Sequence, residues 1–328
     1  MSLSISVIIP AYNAEKTLGE CLKSVASAIG EMDEIIVVDD CSNDSTVSIA
    51  QSFRCHLVRL SENQGAANAR NEGAGSAKND LYLFVDSDVL ITKDNVENIR
   101  KYFEKFRSCH TVTLNVNPSA GHDNFFSEYK NLYMNHIISM GHDDVNYVYG
   151  SCCATRASGY IPWPTYLRLT EDSLWGYLQK TQGHSIHCLK HVNVTHLKNY
   201  SFYTLVKNDF LISSYFARAF WGFKRWNTLY TRENFGHTSK TQIASVLLAV
   251  AMTLMFFIMP EITPFLLVAW FLLNKDLFFS QKEKKGTWFF IQSVAWTFFD
   301  HLIYFCGIFH GSLLSTGEKE KVFERELT

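Results

Sequence analysis

LYLFVDSDVLI, Leu81–Ile91, is an apolar run interrupted by two carboxylates, Asp86 and Asp88. Leucine, tyrosine, phenylalanine and valine at this density read as a short strand. A carboxylate buried without a partner costs on the order of several kcal/mol. The strand must therefore deliver both aspartates to an edge where their charge is offset. Similar runs precede it: ISVIIPA (5–11), EIIVVDD (34–40) and HLVRL (56–60). Between them lie the helix-like segments NAEKTLGECLKSVASAI (13–29), NDSTVSIAQSF (43–53) and GAANARNEGAGSA (65–77). Strands alternating with helices from residue 4 to about 117 predict an α/β domain, its mostly parallel sheet covered on both faces.

Ligands of such sheets bind beyond the carboxyl ends of the strands. Here those ends read PAYNAE, DDCSND and DSD. All are polar and two are acidic, which suits a cation-mediated nucleotide site better than a direct phosphate cradle. A dinucleotide-binding domain needs G-x-G-x-x-G after the first strand, where this chain has PAYNAEK; no G-x-x-x-x-G-K-[ST] loop occurs either. Asp-x-Asp at a strand end offers hard oxygen ligands to Mg²⁺ or Mn²⁺, which bridge to a diphosphate. By itself the pair is a weak signal, and its context decides.

The chain has 328 residues and a net charge of −2, so no basic field points to nucleic acid. Its eight cysteines form no C-x-x-C pair, so neither a zinc site nor a disulfide framework follows, and their scatter fits a reducing compartment. The first residues open on a strand pattern and lack the basic and apolar regions of a cleaved signal peptide. From Ile243 to Leu273 the only charged residue is Glu261, and from Trp288 to Leu314 the only one is Asp300. Runs of about 20 apolar residues cross a bilayer. Pro260 and Pro264 flank a polar break that reads as a hairpin tip. Lys275, Lys282, Lys284 and Lys285 mark a cytoplasmic side. The alternative is a buried helical core, and the pattern fits two spans or three.

Five motifs in order resemble family 2 glycosyltransferases of the GT-A fold. VIIPAYNAEKTL (7–18) looks like the family's first strand and nucleotide loop. VVDDCSNDST (37–46) is similar to its VDDGSxDxT turn, with Cys41 where glycine is usual. ENQGAANARNEG (62–73) matches NxGxxxARNxG at Asn63, Gly65, Ala69, Arg70, Asn71 and Gly73. FVDSD (84–88) matches the metal-binding Asp-x-Asp, and TEDSLWGYLQKTQG (170–183) resembles the later Glu-Asp motif.

The resemblance implies roles. Ala11, Tyr12 and Glu15 would line a nucleotide pocket, together with Asn63 and Gly65. One of Asp39 and Asp40 would read the base, most often through an imide N–H of uracil, which favours a UDP-sugar donor; the other would be a cap or turn residue. Arg70 would sit near the pyrophosphate, or else pair with Asp86 or Asp88. Asp86 would face the ribose or an ordered water and is counted with Asp88 and His196 at the metal; Asp88 would bind Mg²⁺ or Mn²⁺ directly, and His196 at the end of HVNVTH would be a further metal or diphosphate ligand. Asp172 would be the base of an inverting transfer, taking the acceptor hydroxyl's proton, and Glu171 would orient it or the acceptor. TED is equally a helix-start signal, and a helix N-terminus would favour an ionised carboxylate there. YGSCCATRAS (149–158) resembles a loop that touches donor sugar or acceptor.

These readings divide the chain into a catalytic domain (1–200), amphipathic interface helices (201–240), membrane helices (241–315) and a polar tail (316–328). The interface segment mixes aromatics with Lys207, Arg218, Lys224, Arg225 and Arg232, as helices on a membrane surface do. GFKRW (222–226) lacks the glutamine of the Q-x-x-R-W motif of processive synthases. We therefore expect a single-addition enzyme with a lipid or lipid-linked acceptor, in a bacterial or archaeal cell membrane with its catalytic domain on the cytoplasmic side. A tethered transferase with a soluble acceptor and a nucleotide-sugar-binding scaffold are the alternatives.

Overall fold

The structure is a computed structural model and describes residues 3–119, 121, 124–165, 169–222 and 239–317. The chain divides into two compact units, Met1–Ala120 with Ile137–Lys198, and Gly121–His136 with Asn199–Thr328.

The first unit is the expected α/β domain. Its strands are β1 (Ile5–Ala11), β2 (Glu34–Asp39), β3 (His56–Arg59), β4 (Leu81–Val85), β5 (Val89–Leu90), β6 (Thr111–Val116), β7 (Cys152–Arg156) and β8 (Ile186–His196). Among the described residues they form one eight-stranded sheet in the order β3-β2-β1-β4-β7-β6-β8-β5. β3, β2, β1 and β4 run parallel, as do β6 and β8, whereas β7 lies antiparallel between β4 and β6. The segment read as a loop, YGSCCATRAS, thus supplies a central strand. Its Cys152 and Cys153 are fully buried, which sequence periodicity does not distinguish from a short apolar turn.

Every residue of β1 is buried, because helices cover both of its faces. On one face α1 (Leu18–Ala28) places Leu18, Cys21, Leu22, Val25 and Ala28 into the core at helical spacing. Each fully buried Leu, Ile or Val there contributes about 1.5–3 kcal/mol. On the other face α3 (Ala66–Ser76) buries Ala67, Ala69, Arg70, Gly73 and Ala74. A Cβ on Gly73 would fall 2.3 Å from Ile8 Cγ2, so only glycine lets α3 approach β1 this closely. That approach seats Arg70 over the carboxyl edge of the sheet. The short α2 (Thr46–Gln51) follows β2, and α4 (Lys93–Lys105) follows β5, opened by a capping box between Thr92 and Asn95. The unit boundary falls within α5 (Phe125–Met140), and α6 (Glu171–Thr181) precedes β8.

The second unit is helical: the first part of α5, α7 (Phe202–Gly222), α8 (Lys240–Ile258) and α9 (Thr263–Gly317). α8 and α9 are joined by a 3-10 turn at Pro260–Ile262, so PEITP is a hairpin tip. Gly286, at φ 86°, breaks the helical backbone within α9 and leaves two helical halves. Lys240–Ile258 and Pro260–Ser315 are long and apolar enough to cross a membrane, and only 22% and 17% of their apolar windows are buried. That exposure does not fit a buried helical core. α7 packs along the second half of α9, where Gly307 and Gly311 meet Ser213 and Ser214. Whatever orientation one of these helices takes to a bilayer, the other shares. Most of the basic stretch after Gly222, GFKRW beyond its glycine, and nearly all of the polar tail lie outside the described residues.

Candidate active site

β4 ends at Val85, so Asp86 and Asp88 lie beyond the strand, in a turn closed by Val89 N–H donating to Asp86 C=O at 3.0 Å. The apolar residues before them anchor the edge, and the carboxylates are half-buried above it. β5 then pairs with β8, setting Val89 opposite His196. This pairing brings His196 Nε2 to 3.2 Å from Asp88 Oδ1, and the Asp88 backbone C=O accepts from Leu197 N–H at 2.7 Å. Burial pushes the Asp88 carboxyl up, but the hydrogen bond and charge of His196, with Lys198 behind, hold it below the usual carboxylate range. Tyr149 Oη lies 3.4 Å from His196 Nδ1 and fixes the ring from the other side.

Asp86 faces differently. Its Oδ1 accepts from Arg70 Nη2 at 2.7 Å, while Arg70 Nη1 donates to Glu171 Oε1 at 3.0 Å. The guanidinium is buried, stacks 4.4 Å from the Trp163 ring, and reaches Gly150 C=O at 3.4 Å. Burial opposes its charge, but Asp86 and Glu171 outweigh burial and raise its pKa. Arg70 therefore pairs with Asp86, one of the two alternatives left open by the sequence, and ties it to the Glu-Asp motif.

Glu171 and Asp172 open α6. Burial raises the Glu171 carboxyl to about 7; Arg70 pulls it down and the neighbouring Asp172 pushes it further up. Asp172 is held by backbone N–H groups: its Oδ2 accepts from Gly150 N–H at 3.2 Å and its Oδ1 from Ser173 N–H at 2.7 Å. Gly150 sits tightly here, because a Cβ would fall 3.1 Å from Asp172 Cβ. Thr170, at the cap position, does not cap with its side chain. It adopts φ 65°, uncommon for a β-branched residue, and its hydroxyl is buried without a partner.

At the end of β2 the two adjacent aspartates separate. Asp40 accepts from Gln64 N–H and Gly65 N–H, both at 2.8 Å, so its carboxylate is spent on holding the entry to α3. Asp39 accepts from Ser42 N–H at 3.2 Å through Oδ1. Cys41 between this pair and Ser42 has φ 64°, the left-handed conformation that explains the glycine usual at this position. Gly65 has φ 95°, and Asn63 Nδ2 donates to Asp40 C=O at 3.4 Å. Ala11 is buried at the end of β1 beside Asp39, and Tyr12 is half exposed above it. Glu15 accepts from Ser45 N–H at 3.3 Å, and Asn13 Oδ1 accepts from Asn43 N–H at 3.0 Å, so the two loops clamp each other.

Among the described residues, no three His, Cys, Asp or Glu side chains gather as a metal cluster. The Asp88–His196 pair nonetheless fits a divalent cation: one hard oxygen and one imidazole at hydrogen-bonding distance suit Mn²⁺ or Mg²⁺, with remaining positions left for diphosphate and water. Sequence reasoning missed Gly150, Trp163 and the tether at Asn71, whose side chain bonds Trp163 N–H at 2.8 Å and Trp163 C=O at 2.9 Å. Asn71 stood in a matched motif but without a role, and Trp163 lies in a Pro-bracketed loop with no periodic signal.

Residues 6–160 match the family described as Glycosyl transferase family 2. The N-terminal domain of this chain belongs to that family. The family 2 domain is 39% identical over 110 residues to TuaG of Bacillus subtilis (strain 168), a glycosyltransferase ascribed to teichuronic acid biosynthesis, covering 32% of this chain and 43% of TuaG. Glycosyltransferase GlyG of Streptococcus pneumoniae serotype 4 is 35% identical over 131 residues, covering 38% of this chain and 44% of GlyG. The chain spans less than half the length of the curated relatives it matches. Among solved structures, the mannosyltransferase PcManGT of Pyrobaculum calidifontis, in complex with GDP-Man and Mn²⁺, superposes with a TM-score of 0.60 over 98% of this chain and 89% of its own, at 15% identity. At that identity the likeness is one of fold.

Proposed function

We propose that the protein is an inverting glycosyltransferase that moves a sugar from a nucleotide-sugar donor to an acceptor hydroxyl at a membrane, a lipid or lipid-linked saccharide. The observation that carries this reading is the joining of two half-sites by Arg70. Asp86, two residues from Asp88, and Glu171, next to Asp172, share one buried guanidinium. In this reading the half-site of Asp88 and His196 holds Mg²⁺ or Mn²⁺, which when bound neutralises the diphosphate leaving group. PcManGT, whose fold this chain shares, binds Mn²⁺ with GDP-Man. Asp39, the member of its pair that Gln64 and Gly65 leave free, reads the base, with Ala11, Tyr12 and Glu15 around it. Asp172 takes the acceptor proton as that oxygen attacks the anomeric carbon from the face opposite the diphosphate. Gly150 N–H aims its carboxylate, and Arg70 holds Glu171 beside it. The apolar, mostly unburied α8 and α9 support membrane attachment and so a lipid acceptor; the lysines after the hairpin are what favours a catalytic domain on the cytoplasmic side in this reading. A UDP-sugar is the favoured donor.

The test is a thermal-shift and transfer screen of UDP-, GDP- and dTDP-sugars with Mn²⁺ or Mg²⁺, using membrane lipid extracts and soluble oligosaccharides as acceptors. Asp88→Ala is expected to lose metal-dependent nucleotide binding. Asp172→Asn is expected to keep nucleotide binding and lose transfer. The product's anomeric configuration, read by NMR, is expected to be opposite to the donor's. No stabilisation by any nucleotide would sink the reading, and labelling of soluble oligosaccharides alone would remove the lipid acceptor.

A further inference from the structure

α7 and the second half of α9 run side by side, but they do not close evenly. At Gly307 and Gly311 the helices touch: a Cβ there would fall 1.9 Å from Ser213 Oγ and 2.1 Å from Ser214 C=O. Nearer the start of α7 larger side chains face each other, and a groove of about 450 Å³ opens between Tyr203, Val206 and Phe210 on one side and Phe299, Ile303 and Cys306 on the other. That volume lies within the range of small-ligand sites. The lining is apolar apart from one cation, Lys207.

Lys207 has no carboxylate within ion-pair distance among the described residues. The nearest acid in sequence, Asp209, sits roughly 200° further round the helix by the 3.6-residue repeat and is buried. Asp209 is already bonded to Lys130 at 2.5 Å. The same unit exposes Leu247, Phe256, Phe265 and Phe309, so hydrocarbon is the medium its surface fits. In such a medium an unpaired ammonium is costly at mid-depth. It is relieved at headgroup depth by an anion, and the exposed Tyr203 one turn away is a residue enriched at that depth.

We propose that this groove binds one anionic phospholipid of the surrounding bilayer, with an acyl chain along the apolar walls and the phosphate on Lys207. Basic pockets between membrane helices recognise headgroups in this way. The proposal rests on the membrane reading above, and its test separates the two. Full-length protein in detergent is titrated with phosphatidylglycerol or phosphatidylcholine and bound lipid is counted by native mass spectrometry. In parallel, the protein is floated with vesicles of phosphatidylcholine containing one quarter phosphatidylglycerol. Wild type is expected to prefer phosphatidylglycerol about fivefold, the equivalent of about 1 kcal/mol for one lysine near an anionic surface. Lys207→Ala is expected to abolish the preference while still floating, and Cys306→Trp to lose the bound lipid of either kind. Lys207→Glu, which leaves the groove walls intact, is expected to invert the preference and stands in if Cys306→Trp does not fold. Failure of the wild type to float overturns the membrane reading and the proposal together. Flotation with the phosphatidylglycerol preference intact in Lys207→Ala overturns the groove alone.

Discussion

Replacing Arg70 with methionine keeps most of its volume and removes the cation that joins Asp86 to Glu171. The guanidinium side chain is 3% exposed, Glu171 14% and Asp86 27%. Removing one partner of a buried pair costs about 3–5 kcal/mol. Asp86 retains some water, so the low end applies, about 3 kcal/mol at pH 8. The deficit depends on pH through Glu171. Its folded pKa of about 7 lies above the ordinary 4.5, so its proton-linked stabilisation is fully present below the ordinary value and fades as pH rises through 7. Without Arg70 the downward pull is gone, and the carboxyl stays protonated to higher pH. At pH 5 Glu171 carries its proton in both proteins, and the variant loses only the charged bond to the partly exposed Asp86, at the low end of its range, about 1.5 kcal/mol. Between pH 5 and 8 the deficit should therefore grow. Thermal melts of the full-length protein at pH 5, 6.5 and 8 read it directly: a shift of roughly 6–12 °C is expected at pH 8 for a domain of this size, and a smaller one at pH 5. Arg70→Lys should fall between, since an ammonium reaches one carboxylate but not both. An equal deficit at both ends of the range, or one below about 1 kcal/mol at pH 8, would refute the account of Arg70 as the link between the half-sites.

Other outcomes follow from single positions. Cys41→Gly should raise the melting temperature by a few degrees: relief of the left-handed strain, about 1–2 kcal/mol, exceeds the added chain entropy of glycine, about 0.5–1 kcal/mol. Gly176→Ala should destabilise by about 2 kcal/mol or more and weaken transfer, since a Cβ there would fall 2.5 Å from Tyr147 Cα and displace α6 with its two carboxylates; unchanged melting would show that the helix has room to move. Asp40→Asn should cost about 1–3 kcal/mol by leaving backbone N–H groups without their charged acceptor. Asp39→Asn should melt near wild type yet bind nucleotides more weakly, as isothermal titration with UDP would show. The reverse ranking would exchange the roles of the two aspartates.

The fold of the first unit was legible because its signals are local. Alternating apolar runs and helical segments name the strands, and polar residues at their ends name the edge that carries the site. The aspartates of LYLFVDSDVLI, the acids opening α6 and the histidine ending β8 were singled out by the ordered motifs and the resemblance they carry to family 2 glycosyltransferases, since residue type alone left each of them ambiguous. The placement of β7 was not, since a short run holding two cysteines reads equally as a turn. Nor could one sequence tell Asp39 from Asp40: the two differ only in which backbone N–H groups stand opposite, and those belong to Gln64 and Gly65, more than twenty residues on. Arg70 presented the same ambiguity. Its partners lie 16 and 101 residues away, and only the close packing of Gly73 on Ile8, with Trp163 behind the guanidinium, decides which carboxylates it meets. Residue chemistry and local periodicity are written along the chain, so sequence determined the elements and the edge at which polar side chains collect, and the kind of site was implied by the ordered motifs. Which groups share a charge depends on distances between segments remote in the chain, and those exist only once the sheet has brought its strands together.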